Sequence, residues 1–287
     1  MINVLTIFFL IVRIISNPIA NVFQKKLSTN ISSLVINFYT YLFLSIISSF
    51  LIFSQDISNI LNLEFISLVI IAGFLCALGT ICLIKAINIG ELSVIGPINS
   101  YKSVIGLISA IFLLKEIPSC LSLIGIFLII LGSKYIFETT TTGFSLNLLK
   151  RKDIQYRLLA LLLTGIEASI LKKIIILSSV EICFSFWCFT GLFWSLIFII
   201  IFKKNIVIKQ NQYLMNILLI SLCLGLMQYS TNYVFEKMNV GYALALFQLS
   251  SLVTVFLGYK VFKEENLIKK IFASIIMIIG SILIILN

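Results

Sequence analysis

The sequence predicts an all-α membrane protein of ten transmembrane helices, arranged as two inverted five-helix repeats around a central cavity. Three observations predict it. Apolar stretches fill almost the whole 287-residue chain, each near the length of about 20 residues that a helix needs to cross a hydrocarbon core. The composition is 60% hydrophobic and 11% charged, more apolar surface than one soluble core of this size can hide. The chain also repeats itself, with five spans in each copy.

The spans follow in order. The first, 3–24, carries Arg13, Asn17, Asn21 and Gln24 at helical spacing, so four polar groups share one face. Pro18 weakens the backbone ladder there, freeing a carbonyl that can face water or a ligand. The second and third, 31–53 and 64–84, are apolar runs. In the fourth, 92–114, Asn99 and Lys102 share a face with Gly106 and Ser109, while Ser100 and Tyr101 lie to the side. The fifth is 117–137. A polar linker, 139–155, separates a first repeat (1–138) from a second (156–287). The sixth span, 156–177, holds Glu167 near its middle and Lys172 and Lys173 at its end, and the seventh is 181–202. The eighth, 213–235, has a polar stripe of Gln228, Asn232 and Glu236 with Tyr229 and Tyr233 alongside. The ninth, 240–261, places Gln248 and Ser251 where the fourth has its polar group. The tenth is 267–286.

Composition removes several function classes. The chain has no histidine, which excludes His–metal sites, Ser–His–Asp triads and a histidine proton relay. Its six cysteines (Cys76, Cys82, Cys120, Cys183, Cys188 and Cys223) form no CxxC pair and read as small core residues. No GxxxxGK[ST] loop is present, so ATP is not the direct energy source. With three prolines and short loops there is no room for a soluble domain. The net charge of +10 comes from lysines between spans, so its partner is the anionic lipid surface and not nucleic acid. The first span is too long, and begins with too little positive charge, for a cleaved signal peptide.

The repeat is carried by matched residues. Asn88 and Gly90 correspond to Asn239 and Gly241, Lys115–Glu116 to Lys263–Glu264, and Gly132–Ser133 to Gly280–Ser281. The spacing from Glu116 to Gly132 equals that from Glu264 to Gly280. A weaker echo sets QKKL (Gln24 to Leu27) beside LKKI (Leu171 to Ile174). An odd number of spans per copy forces the second to sit upside down relative to the first. Inverted repeats of this kind typify secondary transporters, which hold substrate near the midplane.

These segments resemble the EamA-type members of the drug/metabolite transporter superfamily. The resemblance rests on SNPIANVFQKKL (Ser16 to Leu27), NIGELSVIGP (Asn88 to Pro97), LLKEIPSCLSLIGIFLIILG (Leu113 to Gly132) and its second copy VFKEENLIKKIFASIIMIIG. It implies ten helices in two inverted halves around a central cavity, and transport of small metabolites or drugs across the cell (inner) membrane. Two departures stand out: Lys102 interrupts the small residues usual in the fourth span, and Pro97 has Gln248 as its counterpart.

Charges inside spans cost about 2.5–3.5 kcal/mol each on the insertion scale, so Arg13, Lys102 and Glu167 need a reason. Read as one wet cavity, Arg13 and Lys102 attract a carboxylate or phosphate. Asn17, Asn21, Asn232, Tyr229, Tyr233 and Gln248 orient the remainder, and Glu167 binds an amino group or carries a coupling proton. Read as structure, Glu167 neutralises Arg13 or Lys102 and the amides cross-link helices. Glu116 and Glu264 sit at helix ends beside lysines, as caps or loop contacts. Loops 1–2, 5–6, 7–8 and 9–10 hold most of the lysines, among them Lys25, Lys26, Lys150, Lys203, Lys209 and Lys263. The positive-inside rule then sets both termini outside the cytoplasm, whereas the family arrangement implies inside.

The expected function is a secondary active transporter of a small anionic or zwitterionic, amino-acid-like metabolite, working by alternating access. It is expected to be no enzyme, to use no cofactor, and to exist as a monomer or weak dimer. The alternatives are a proton-coupled exporter of cationic drugs using Glu167, and a lipid-linked sugar flippase.

Overall fold

The computed structural model describes residues 3–53, 55, 60–105, 119–140, 143, 146–208 and 210–285. Among them every regular element is helical. The helices are α1 (Val4–Ser28), α2 (Ser33–Ile52), α3 (Leu63–Ile89), α4 (Leu92–Ile95), α5 (described over 101–105) and α6 (Cys120–Phe137). Then come α7 (Lys152–Leu177), α8 (Val180–Ile201), α9 (Asn211–Lys237), α10 (Val240–Phe247), α11 (Ser250–Phe262) and α12 (Leu267–Ile285). Gly106, Ser109, Lys115, Glu116 and Lys209 lie outside the described residues.

Short polar side chains start several helices by accepting a first-turn amide. Asn3 accepts from Thr6 N and Asn62 from Phe65 N, both at 2.8 Å. Ser179 accepts from Ile182 N at 3.2 Å. Such caps satisfy first-turn donors that have no partner within their own helix. Lys25 and Lys26 lie in the last turn of α1, where cations complement the helix dipole.

Eight helices among the described residues are long and apolar enough to cross a membrane, with α10 and α11 counted as one span. The sixth expected span is α7, of 26 residues. Two expected spans are not continuous helices. The fourth breaks into α4, a 3₁₀ turn at Pro97–Ser100, and α5, because Pro97 has no N–H to donate and its ring crowds the preceding turn. The ninth breaks at Gln248 and Leu249. There Gln248 Nε2 turns back to Leu244 O at 2.9 Å and Ser250 Oγ to Phe247 O at 2.7 Å.

Helices from the first part of the chain pack on helices from the second: α1 on α9, α2 on α8, α3 on α7, α4 on α11, and α6 on α12. The α6–α12 crossing is the tightest. A Cβ at Gly125 would lie 2.6 Å from Gly280 O, and one at Gly280 equally close to Gly125 O. Only glycine lets these backbones approach so closely. Phe8, Ile11 and Ile15 of α1, Phe50 of α2, Phe127 of α6, Phe193 of α8, Leu222 of α9 and Phe272 of α12 are exposed outward, as a lipid-facing surface requires. Four cysteines are buried, but Cys120 is exposed and Cys223 half-buried. That corrects the expectation of core packing for Cys120, which opens α6 at its first turn.

Candidate functional site

A cavity of about 130 Å³ lies among the helices, walled by α1, α2, α3, α7, α8, α9, α10 and the broken α4–α5 segment. For scale, an apolar cavity of about 150 Å³ accepts a benzene molecule, so the space suits a small metabolite.

α1 supplies one wall. Arg13, Asn17, Asn21 and Gln24 all line it, as their shared helical face requires. Arg13 is 8% exposed. Its Nη1 donates to Ser250 Oγ at 3.4 Å, and its guanidinium lies 4.2 Å from the centre of the Phe247 ring. Both partners flank the α10–α11 break, so that break supplies what holds Arg13. Arg13 Nε, Asn21 Oδ1 and Gln24 Oε1 are buried without a hydrogen-bond partner among the described residues.

The α4–α5 segment and α7 supply a second wall. Asn99, at the 3₁₀ turn, donates from Nδ2 to Gln248 Oε1 at 2.9 Å and accepts from Arg157 Nη2 at 2.9 Å. One amide therefore ties both broken spans to α7. Arg157 is 7% exposed, and its Nε has no partner among the described residues. Lys102 lines the same cavity and, among the described residues, makes neither a hydrogen bond nor an ion pair.

Glu167 of α7 is 5% exposed. Its Oε1 accepts from Trp187 Nε1 at 2.9 Å. The Trp187 ring meets Tyr41 edge-on at 5.0 Å, and Tyr41 Oη lies 2.9 Å from Cys76 Sγ. Glu167 forms no ion pair with Arg13, Lys102 or Arg157. The neutralising bridge considered from the sequence is not formed.

Five of the nine expected site residues therefore line the cavity: Arg13, Asn17, Asn21, Lys102 and Glu167. Four do not. Gln248 is fully buried behind Asn99, which it holds. Asn232 is fully buried and accepts from Gln228 Nε2 at 2.9 Å, so Gln228 faces the cavity in its place. Tyr229 donates to Glu181 Oε1 at 2.9 Å, and Tyr233 packs on Phe9 at 4.3 Å. One residue along a helix turns the side chain by about 100°, so tyrosines next to Gln228 and Asn232 in sequence face elsewhere. Glu236 pairs with Lys237 on the exposed end of α9. The residue that sequence reasoning missed is Arg157, whose signal was its place on one face of α7 with Thr164, Glu167 and Leu171, all cavity-lining.

Outside the cavity, Glu264 in the α11–α12 turn caps a helix other than its own. Its two oxygens accept from Leu92 N at 2.7 Å and Ser93 N at 2.8 Å, at the start of α4. Lys25 Nζ donates to Glu264 Oε1 at 2.9 Å and to Gly90 O at 2.8 Å. Burial alone would raise the Glu264 carboxyl, but the Ser93 hydrogen bonds and Lys25 outweigh it and hold it below the usual carboxylate range. Beside this latch, Lys270 pairs with Glu91 and donates to Ser93 Oγ at 2.8 Å. In α7, Lys172 donates to the carbonyls of Phe235, Glu236 and Met238 at the end of α9.

Residues 4–137 match the model of the EamA-like transporter family. No curated protein matches the sequence. Twenty-one chains of solved structure match. One of them, a crystal structure of a protein, superposes with a TM-score of 0.67 over 95% of this chain and 95% of that one, at 9% identity. That likeness shows the fold. Over its first half the sequence carries the EamA-like transporter pattern, and with its series of apolar spanning helices the chain is a multi-pass membrane protein.

Proposed function

We propose that this protein is a secondary active transporter of a small anionic or zwitterionic, amino-acid-like metabolite, and not an enzyme. It works in the cell (inner) membrane by alternating access. The observation that carries this reading is the charge of the cavity: among the described residues, three buried or partly buried cations, Arg13, Lys102 and Arg157, face one carboxylate, Glu167. In a low-dielectric wall, cations that outnumber their counter-charges attract an anion far more strongly than they would in water. The unpaired Arg13 Nε, Arg157 Nε, Asn21 Oδ1 and Gln24 Oε1 offer both donors and acceptors, which suits a ligand with a carboxylate and further polar groups.

The two-repeat architecture draws support from the packing. Pairing α1 with α9 and α3 with α7, while α2 meets α8 and α6 meets α12, is the pattern left unchanged when the two halves are exchanged. The register that aligns Gly132 with Gly280 also aligns Gly125 with Ala273. The contacts Gly125–Gly280 and Gly132–Ala273 map onto each other under it. On this reading the first half and the second rock about the cavity between them.

The three cations argue against an exporter of cationic drugs. The test is a thermal-shift panel on detergent-purified protein, comparing wild type with Arg13→Ala across metabolites sorted by charge. A ligand at 100 times its Kd stabilises the state it binds by about 2.7 kcal/mol. Anionic or zwitterionic compounds are expected to shift wild type and not the variant. Shifts by lipophilic cations alone, unchanged in Arg13→Ala, would replace this reading with drug export through Glu167.

A further inference from the structure

We propose that the substrate carries two negative charges, and that the cavity changes its facing only with such a dianion inside, so that transport is an obligatory exchange. This rests on the transport reading above, keeps its anion and drops its zwitterionic, amino-acid-like alternative. Among the described residues, three cations against one carboxylate leave two positive charges on the cavity wall when Glu167 is ionised. The partners that the cations do have are neutral: Ser250 and the Phe247 ring for Arg13, Asn99 for Arg157. These partners orient the guanidinium groups without cancelling charge. Glu167 is held by a neutral donor as well, Trp187.

Charge balance then ranks possible occupants. A zwitterion leaves both positive charges uncompensated, a monoanion leaves one, and a dianion leaves none. The ranking matters most while the cavity is closed to both sides. Water is scarcest then, and an uncompensated charge costs most. An empty cavity has to cross that state carrying two uncompensated charges, whereas a cavity loaded with a dianion crosses it neutral. The return journey faces the same barrier, so it too requires a dianion. The 130 Å³ of space accommodates a short dicarboxylate or a tetrahedral oxyanion.

The experiment uses purified protein in liposomes loaded with unlabelled succinate, with sulfate, or with chloride only. Labelled succinate, sulfate, lactate or glycine is supplied outside. Uptake of labelled succinate or sulfate is expected to be more than about tenfold faster when the lumen holds either dianion than when it holds chloride. Exchange of succinate alone assigns dicarboxylate recognition, and exchange of sulfate alone assigns a tetrahedral oxyanion. Both outcomes bear the proposal out. Lys102→Gln removes one positive charge and is expected to move the preference toward lactate and to weaken the need for a loaded lumen. Wild-type uptake of lactate or glycine as fast as of the dianions overturns the proposal, and so does dianion uptake that is indifferent to the lumen. Both of those results leave the transport reading standing. No uptake above protein-free liposomes in any arm, with no melting shift by any anion or zwitterion, brings down the transport reading and this proposal together.

Discussion

The cavity and the latch around Glu264 both set cations against carboxylates inside the protein, yet they treat charge in opposite ways. At the latch every charge has its complement. Lys25 pairs with Glu264, Lys270 with Glu91, and the spare carboxylate capacity is taken by the first amides of α4. In the cavity Arg13 and Arg157 hydrogen-bond only neutral partners among the described residues, and Lys102 attracts Glu167 across the space without forming an ion pair with it. Removing one member of a satisfied buried pair strands the other, while neutralising an unpaired buried charge relieves a cost. Mutation therefore separates a contact that stabilises the fold from one kept for a ligand, even where burial alone cannot.

The largest expected effect is at the latch. Glu264→Ala leaves Lys25 and the amides of Leu92 and Ser93 without their acceptor and is expected to cost about 3 kcal/mol. It would be read as a lowered apparent melting temperature in detergent without ligand. Lys102→Gln is expected to act in the opposite direction, raising ligand-free stability by about 1 kcal/mol. A loss as large as that of Glu264→Ala would mean that the attraction between Lys102 and Glu167 outweighs the cost of burying both.

The smallest effect is in pH. The Glu264 carboxyl is held below its ordinary range in the folded protein. Its contribution is therefore fully present above the unfolded pKa and is lost as pH falls through the lowered folded value. Melting curves of wild type and Glu264→Ala should run parallel at neutral pH and converge only in acid. A gap unchanged down to the acid limit would show that the carboxylate charge is not what holds α4.

Most of the fold could be read from the chain because a membrane demands long apolar runs, and nothing in a soluble core of this size imitates ten of them. The break of the fourth span was announced by Pro97. That of the ninth had no such residue, and it depends on Gln248 and Ser250 turning back onto their own helix, which composition does not reveal. In the site, the α1 stripe was legible because its polar residues recur on one face of an otherwise apolar helix. The α9 stripe misleads because Gln228 and Asn232 adjoin tyrosines in sequence, and neighbours in sequence point in different directions. Arg157 was overlooked for its position, one residue inside the expected start of its span, where a cation reads as an interfacial anchor. Only the early start of α7 at Lys152 and the amide of Asn99 show that it turns inward.

Trp187 gives the protein an optical reporter. The chain has two tryptophans. One, Trp194, donates to the Ile70 carbonyl away from the cavity, while the indole of Trp187 donates to the Glu167 carboxylate in the cavity and abuts Tyr41. Indole emission is sensitive to a charge placed at its N–H. With Trp194 replaced by phenylalanine, the remaining fluorescence records the electrical state of the cavity in real time, with no label attached.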